Sequence, residues 1–246
     1  MVYVKFDGRL GNQLFQLAAG IALATENNDK VVAPESNYYK FINFRPNTDS
    51  FKQYSVHYTE PFFHYQKIPY TKDMLLAGYF QSEKYFEPYS NLIKDLFSLK
   101  KAYEDQIKEK YKDLLEQETI SLHVRRTDYI HLNDFHPVLT LEYYKQALDF
   151  IGSKGKKVVV FSDDIEWCKT AFVGTKFVHI EKNIDIVDMF LMSYCTHNII
   201  ANSSFSWWGA YLNKNQNKKV VAPSSWFGPK LDYNPKDIYC KEWKVI

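Results

Sequence analysis

At 246 residues the chain is long enough for one large domain or two small ones, each with a buried core. A formal net charge of +2 excludes the broad basic surface that nucleic acid demands, so any basic function must be local. The three cysteines, Cys168, Cys195 and Cys240, show no CxxC or Cys/His metal spacing and read as reduced structural thiols of a cytosolic protein.

Residues 2–6 are β-branched and aromatic, and they start the fold as a strand with no signal-peptide pattern before it. A glycine loop follows, and then Leu10, Leu14, Leu17, Ala18 and Ile21 recur at helical spacing to about Glu26. Residues 30–33 suggest a second strand closed by Pro34. Residues 37–71 alternate aromatics, prolines and polar residues irregularly and read as loop with short helices. Residues 85–97 and 103–115 are expected to be helical, the second stretch with the mixed charges of a solvated helix. A regular βα alternation then begins. Strands are expected at 119–124, 156–161, 177–180, 198–201 and 220–222, and helices at 141–151, 184–195 and 205–212, with Thr140 as an N-cap. Apolar strands alternating with helices mean a parallel sheet covered on both faces. We therefore expect an N-terminal α/β domain over residues 1–116 and a doubly wound domain over 117–246. No apolar run approaches the roughly 18 residues of a spanning helix.

Four segments carry candidate chemistry. In Gly8-Arg9-Leu10-Gly11-Asn12-Gln13, glycines after a strand let a ligand approach the backbone, and the helix start offers N–H groups to an anion. Arg9 adds charge, and Asn12 and Gln13 add neutral hydrogen bonding. It is not GxGxxG, so the dinucleotide fingerprint does not apply. In His123-Val124-Arg125-Arg126-Thr127-Asp128-Tyr129, two arginines at a strand end match phosphate oxygens in pairs, Asp128 can orient one of them, and His123 shares a strand face with Arg125. In Ser162-Asp163-Asp164, paired carboxylates at a strand end suit a metal, a ribose or guanine edge, or a helix cap. Capping is the leading role, and no further Asp/His cluster completes a metal shell. In Asn202-Ser203-Ser204-Phe205-Ser206-Trp207-Trp208-Gly209, Ser203 or Ser204 caps a helix while the remaining hydroxyls and N–H groups face a pyrophosphate. The two tryptophans read as core anchors, with Gly209 allowing close helix–sheet contact. Because ligands of parallel sheets sit beyond the carboxyl ends of strands, these loops are expected to face one cleft.

In their order, the glycine loop, the His-x-Arg-Arg-x-Asp element and the segment from Asp188 through Tyr211 resemble the α-1,2-fucosyltransferase family, glycosyltransferase family 11. The stretch 37–119 matches no motif. The resemblance implies an α/β protein of GT-B type, with two Rossmann-like domains facing a cleft. It implies a GDP-β-L-fucose donor, inversion at the anomeric carbon, and neither metal nor cofactor. It places Arg125 or Arg126 on the β-phosphate, Asn12 near the donor phosphate, and Asp163, Asp164, Asp188, Ser203, Ser204 and Ser206 at the nucleotide. The chain is shorter than the family norm and lacks the anchor of animal members, which points to a bacterial cytosolic enzyme. Such an enzyme would have an oligosaccharide or lipid-linked glycan acceptor, at most peripheral membrane contact and no nucleic acid partner. Asp7 and Asp128 are candidates for the acceptor base. The rival readings are a transferase using another nucleotide sugar, such as a UDP donor, and a non-catalytic nucleotide- or glycan-binding module.

Overall fold

The computed structural model describes residues 1–48 and 54–246; residues 49–53, within the stretch read as loop, lie outside the described residues. The chain divides into two compact units, Met1–Tyr103 with Tyr233–Cys240, and Glu104–Asp232 with Lys241–Ile246. The division falls before the expected residue 116, because most of the charged helical stretch belongs with the second unit. The return of residues 233–240 to the first unit has no sequence signal.

The first unit is built on a four-stranded parallel sheet in the order β2-β1-β4-β3. Its strands are β1 (Val2–Val4), β2 (Val31–Val32), β3 (Val56–Thr59) and β4 (Met74–Ala77). Helix α1 (Leu10–Glu26) buries Leu14, Leu17, Ala18 and Ile21, as the spacing requires. The sequence reading missed β3 and β4. β3 lies within the 37–71 stretch read as loop and is largely exposed, so it shows no buried periodicity. β4 is a four-residue apolar run too short to identify its period. Helix α2 (Ser90–Leu96) follows short 3-10 turns, and α3 (Lys101–Lys110) runs on into the second unit.

In the second unit, α4 (Lys112–Leu115) precedes β5 (Thr119–Val124), whose six residues are all buried, as in a strand covered on both faces. There follow α5 (Thr127–His131), α6 (Leu141–Ile151), β6 (Lys157–Ser162), α7 (Ile165–Ala171) and β7 (Phe177–His179). The unit closes with α8 (Asp185–Tyr194), β8 (His197–Ile199), α9 (Ser204–Tyr211), β9 (Val220–Ala222) and β10 (Lys244–Val245). The sheet is parallel throughout, in the order β10-β9-β8-β5-β6-β7. Its core joins Ile120, Leu122, Val124, Val158, Val160 and Ile199 to Ala147, Leu148 and Ile151 of α6. Each buried Val, Leu or Ile contributes about 1.5–3 kcal/mol. Thr140 caps α6 as expected, accepting from Tyr143 N–H at 3.3 Å.

Trp207 and Trp208 are fully buried and pack edge to face at 5.1 Å, the core anchors read from sequence. Gly209 corrects one expectation. A Cβ there would come within 2.9 Å of the Met192 Cβ and 3.3 Å of the Met189 carbonyl, so the close approach is to α8 rather than to the sheet. Among the described residues, no helix is long and apolar enough to cross a membrane.

Candidate functional site

Register assembles the site in the second unit. Val124 lies opposite Ser162, so Arg125 and Arg126 leave β5 beside Asp163 and Asp164 as these leave β6. β8 pairs with the other edge of β5, with Leu122 opposite Ile199, and it delivers residues 202–204 to the same carboxyl end. Segments far apart in sequence thus converge where parallel sheets hold ligands.

The two arginine side chains diverge, Arg126 having left the strand for the N-cap of α5. Arg125 is held between two carboxylates, with Nη2 donating to Asp128 at 2.6 Å and Nη1 lying 3.2 Å from Asp163. Its guanidinium carbon lies 5.4 Å from the Tyr129 ring centroid. The Tyr129 hydroxyl donates to the Asn202 carbonyl at 3.1 Å, which ties this support to the residue before α9's cap. Arg126 turns toward α7. It stacks on Trp167 at 3.9 Å, and Nε donates to Asp164 at 3.2 Å.

Asp163 is engaged within the protein. One oxygen accepts from Arg126 N–H at 2.9 Å; the other accepts from Thr127 N–H at 3.2 Å and from the Thr127 hydroxyl. Burial pushes this carboxyl up, but the Thr127 and Arg126 hydrogen bonds and the Arg125 charge hold it below the usual carboxylate range. Asp164 takes the capping role expected of one of the pair, accepting from Trp167 N–H at 3.3 Å. Among the described residues, no three His, Cys, Asp or Glu side chains group as a metal site.

His123 and Ser206, both read as substrate-binding, lie inside the second unit. Both are buried, and His123 Nδ1 and Ser206 Oγ share a hydrogen bond of 2.8 Å. Ser206 Oγ also accepts from Ala201 N–H at 3.2 Å and donates to the Ser203 carbonyl at 3.4 Å. Burial depresses His123 to about 3, so the ring is neutral. The pair positions the start of α9.

Ser203 is the N-cap of α9 by backbone, yet its side chain makes no capping bond, which corrects that expectation. Ser204 opens the helix as its first residue and is half-buried. Asn202, which opens the fourth segment, was given no role of its own in the sequence. It is buried, and its side-chain N–H groups donate to the carbonyls of Pro137 and Trp226 at 3.0 and 3.2 Å, closing the loop before α9. Asp188 lies in the first turn of α8 and accepts from Asn183 at 2.8 Å. Burial pushes its carboxyl up to about 6 against the Asn183 hydrogen bond. No hydrogen bond or ion pair joins it to the arginines among the described residues.

In the first unit, Gly8 sits at φ +80°, and a Cβ there would meet Asn12 Nδ2 at 2.3 Å, so the turn needs glycine. Arg9 is exposed at the start of α1 and makes no ion pair among the described residues. Gly11 is buried in the first turn of α1. Asn12 Oδ1 accepts from Gln81 at 2.8 Å. Gln13, read as substrate-binding, is largely used internally: its amide nitrogen donates to the Gly8 carbonyl at 3.2 Å and its oxygen accepts from Ser36. Asp7 is half-exposed and pairs with Lys5 at 3.1 Å. The sequence reading missed Gln16. Fully buried, it accepts from Asp7 N–H at 3.1 Å and donates to the carbonyls of Asp7 and Gly78 at 3.2 and 3.0 Å.

Two α/β units, each built on a parallel sheet, are the architecture of a GT-B fold. The fold is shared with NodZ α-1,6-fucosyltransferase soaked with GDP-fucose, at TM-score 0.56 and 15% identity over 86% of this chain and 91% of that one. POFUT1 in complex with GDP has TM-score 0.58 and 13% identity, covering 90% of this chain and 96% of that one. The family model for glycosyl transferase family 11 matches residues 1–246, and the chain belongs to that family. The Escherichia coli O-antigen biosynthesis glycosyltransferase WbnK is 33% identical over 79% of this chain and 62% of its own length. An Escherichia coli alpha-1,2-colitosyltransferase is 30% identical over 100% of this chain and 99% of its own length. A Caenorhabditis elegans galactoside 2-alpha-L-fucosyltransferase is 32% identical over 72% of this chain and 54% of its own length. The chain thus spans under two thirds of two of these relatives and nearly all of the third.

Proposed function

We propose that this enzyme transfers L-fucose from GDP-β-L-fucose, with inversion, to the 2-hydroxyl of a galactoside in a bacterial surface glycan. The observation that carries the reading is Arg125, held between Asp128 and Asp163 on a tyrosine tied to the start of α9. As the sugar–phosphate bond breaks, negative charge grows on the departing pyrophosphate. A guanidinium already fixed in place, with the first N–H groups of α9, meets that charge without reorganising, and such a donor is worth about 3–4 kcal/mol. Ser203 and Ser204 complete the phosphate contacts, Arg126 braces the α7 cap beside them, and Asp188 accepts from the nucleoside. Charge neutralisation by arginine needs no divalent metal. The acceptor is an oligosaccharide or a lipid-linked glycan met at the cytoplasmic face of the membrane.

The end-to-end match to a colitosyltransferase favours a second reading of the donor sugar, in which a 3,6-dideoxyhexose replaces fucose. Both readings keep the same nucleotide. The test is a donor panel of GDP-fucose, GDP-colitose and UDP-galactose with a β-galactoside acceptor, with linkage analysis of the product and calorimetry of GDP and UDP. GDP is expected to bind at least about tenfold tighter than UDP, or about 1.4 kcal/mol. Equal affinities refute the guanine donor, and transfer from GDP-colitose alone selects the second reading.

A further inference from the structure

The stretch with no sequence motif holds a turn that is constrained more heavily than its length requires. Residues 78–82 follow β4 at the carboxyl end of the first unit's sheet, beside the glycine loop that follows β1. Within the turn, Phe80 is fully buried at φ +50°, a left-handed backbone conformation that bulky residues avoid. Such a conformation persists only where its surroundings enforce it. The enforcing group is Glu60, the residue after β3. Its Oε2 accepts from the N–H groups of Tyr79 and Phe80 at 2.7 and 3.0 Å, and its Oε1 accepts from the Tyr85 hydroxyl at 3.2 Å. A Cβ at position 78 would come within 2.4 Å of the Glu60 Cβ, so glycine is required for this approach.

The same turn is tied to the glycine loop on both sides. Gln81 donates to Asn12, and buried Gln16 bridges the backbones of Gly78 and Asp7. What this frame presents to solvent is one ring. Tyr79 is 41% exposed between buried Phe80 and the glycine loop. An aromatic face with a wet edge suits the C–H face of a pyranose. Gln16 ties the backbone before this ring to the backbone of Asp7, one of the two candidates for the acceptor base.

We propose that Tyr79 is the stacking platform for the acceptor sugar and that Glu60 is the positioning residue that holds it there. This rests on the glycosyltransferase reading above, and it assigns to the first unit an acceptor subsite for a galactoside-type pyranose ring.

The experiment compares wild type with Tyr79→Ala, Tyr79→Phe and Glu60→Gln, using lactose as acceptor probe. Tyr79→Ala is expected to raise the KM for lactose at least about tenfold, or 1.4 kcal/mol, while GDP affinity by calorimetry stays within about twofold. Tyr79→Phe keeps the ring and is expected to restore the KM. Glu60→Gln exchanges one acceptor oxygen for a donor facing N–H groups, and it is expected to raise the lactose KM with GDP affinity unchanged. Saturation-transfer NMR on lactose reads the same contact without donor, with transfer to the sugar protons in wild type and none in Tyr79→Ala. Equal saturation transfer in wild type and Tyr79→Ala, or an unchanged lactose KM, overturns this proposal and leaves the donor reading standing. Loss of GDP preference in wild type, with the lactose signal still dependent on Tyr79, refutes the donor reading instead.

Discussion

Replacing Arg125 with lysine keeps the positive charge and removes the planar fork. In the folded protein the fork meets Asp128 at 2.6 Å and Asp163 at 3.2 Å at once, and a single ammonium cannot span both. The stability cost is small. Asp128 is 44% exposed, and Asp163 keeps its hydrogen bonds from Arg126 and Thr127, so the loss is about 1 kcal/mol or less. For a chain of this size that lowers Tm by roughly 2–4 °C. The catalytic cost is larger, because the contact strengthens as charge builds on the leaving group. We expect about a hundredfold loss, about 2.7 kcal/mol, falling on kcat more than on the donor KM. Arg126→Lys is expected to cost less, since Arg126 stacks on Trp167 and braces the cap of α7 rather than facing the start of α9. The assay is steady-state GDP release by both variants, with thermal melts alongside. Near-wild-type kcat in both removes the arginines from the mechanism, and a larger loss in Arg126→Lys reverses their order.

His123 makes stability depend on pH. The unfolded chain takes up its proton near 6.5 and the folded chain only near 3, so stability is full above about 6.5 and falls with decreasing pH by up to about 1.4 kcal/mol per unit. Denaturant midpoints of wild type and His123→Asn between about pH 7 and 4 are expected to show a shallower slope in the variant; equal slopes refute a buried neutral ring. Asp188 acts in the opposite sense. Its folded form keeps a proton up to about 6, so the charged carboxylate is a burden that is complete only above that pH. Asp188→Asn is expected to gain about 1–2 kcal/mol at neutral pH and nothing near pH 4, while weakening GDP binding; an unchanged neutral-pH melt refutes the burial argument. Turnover is expected to survive excess EDTA after metal stripping, and a loss restored by Mg²⁺ or Mn²⁺ overturns arginine-based neutralisation.

The sequence by itself determined β5 to β9 of the second unit, because β5 and β6 are buried on both faces and read as apolar runs bounded by polar turns, whereas the two-residue β10 carries too little pattern to read. It also determined the segments at the strand ends, since paired arginines, paired aspartates and a serine-rich helix start are local signals. It did not determine which of those side chains face a ligand. Asp163 and Ser206 are spent on internal hydrogen bonds, and His123 pairs with a residue 83 positions away, none of which spacing reveals. The first unit was the least legible. β3 is exposed and β4 is very short, and the role of Glu60 exists only because residues 19 and 20 positions later fold back onto its carboxylate. Periodicity reports on which face of an element is buried. Convergence of loops from separate strands depends on sheet order and register, and only the tertiary structure decides those.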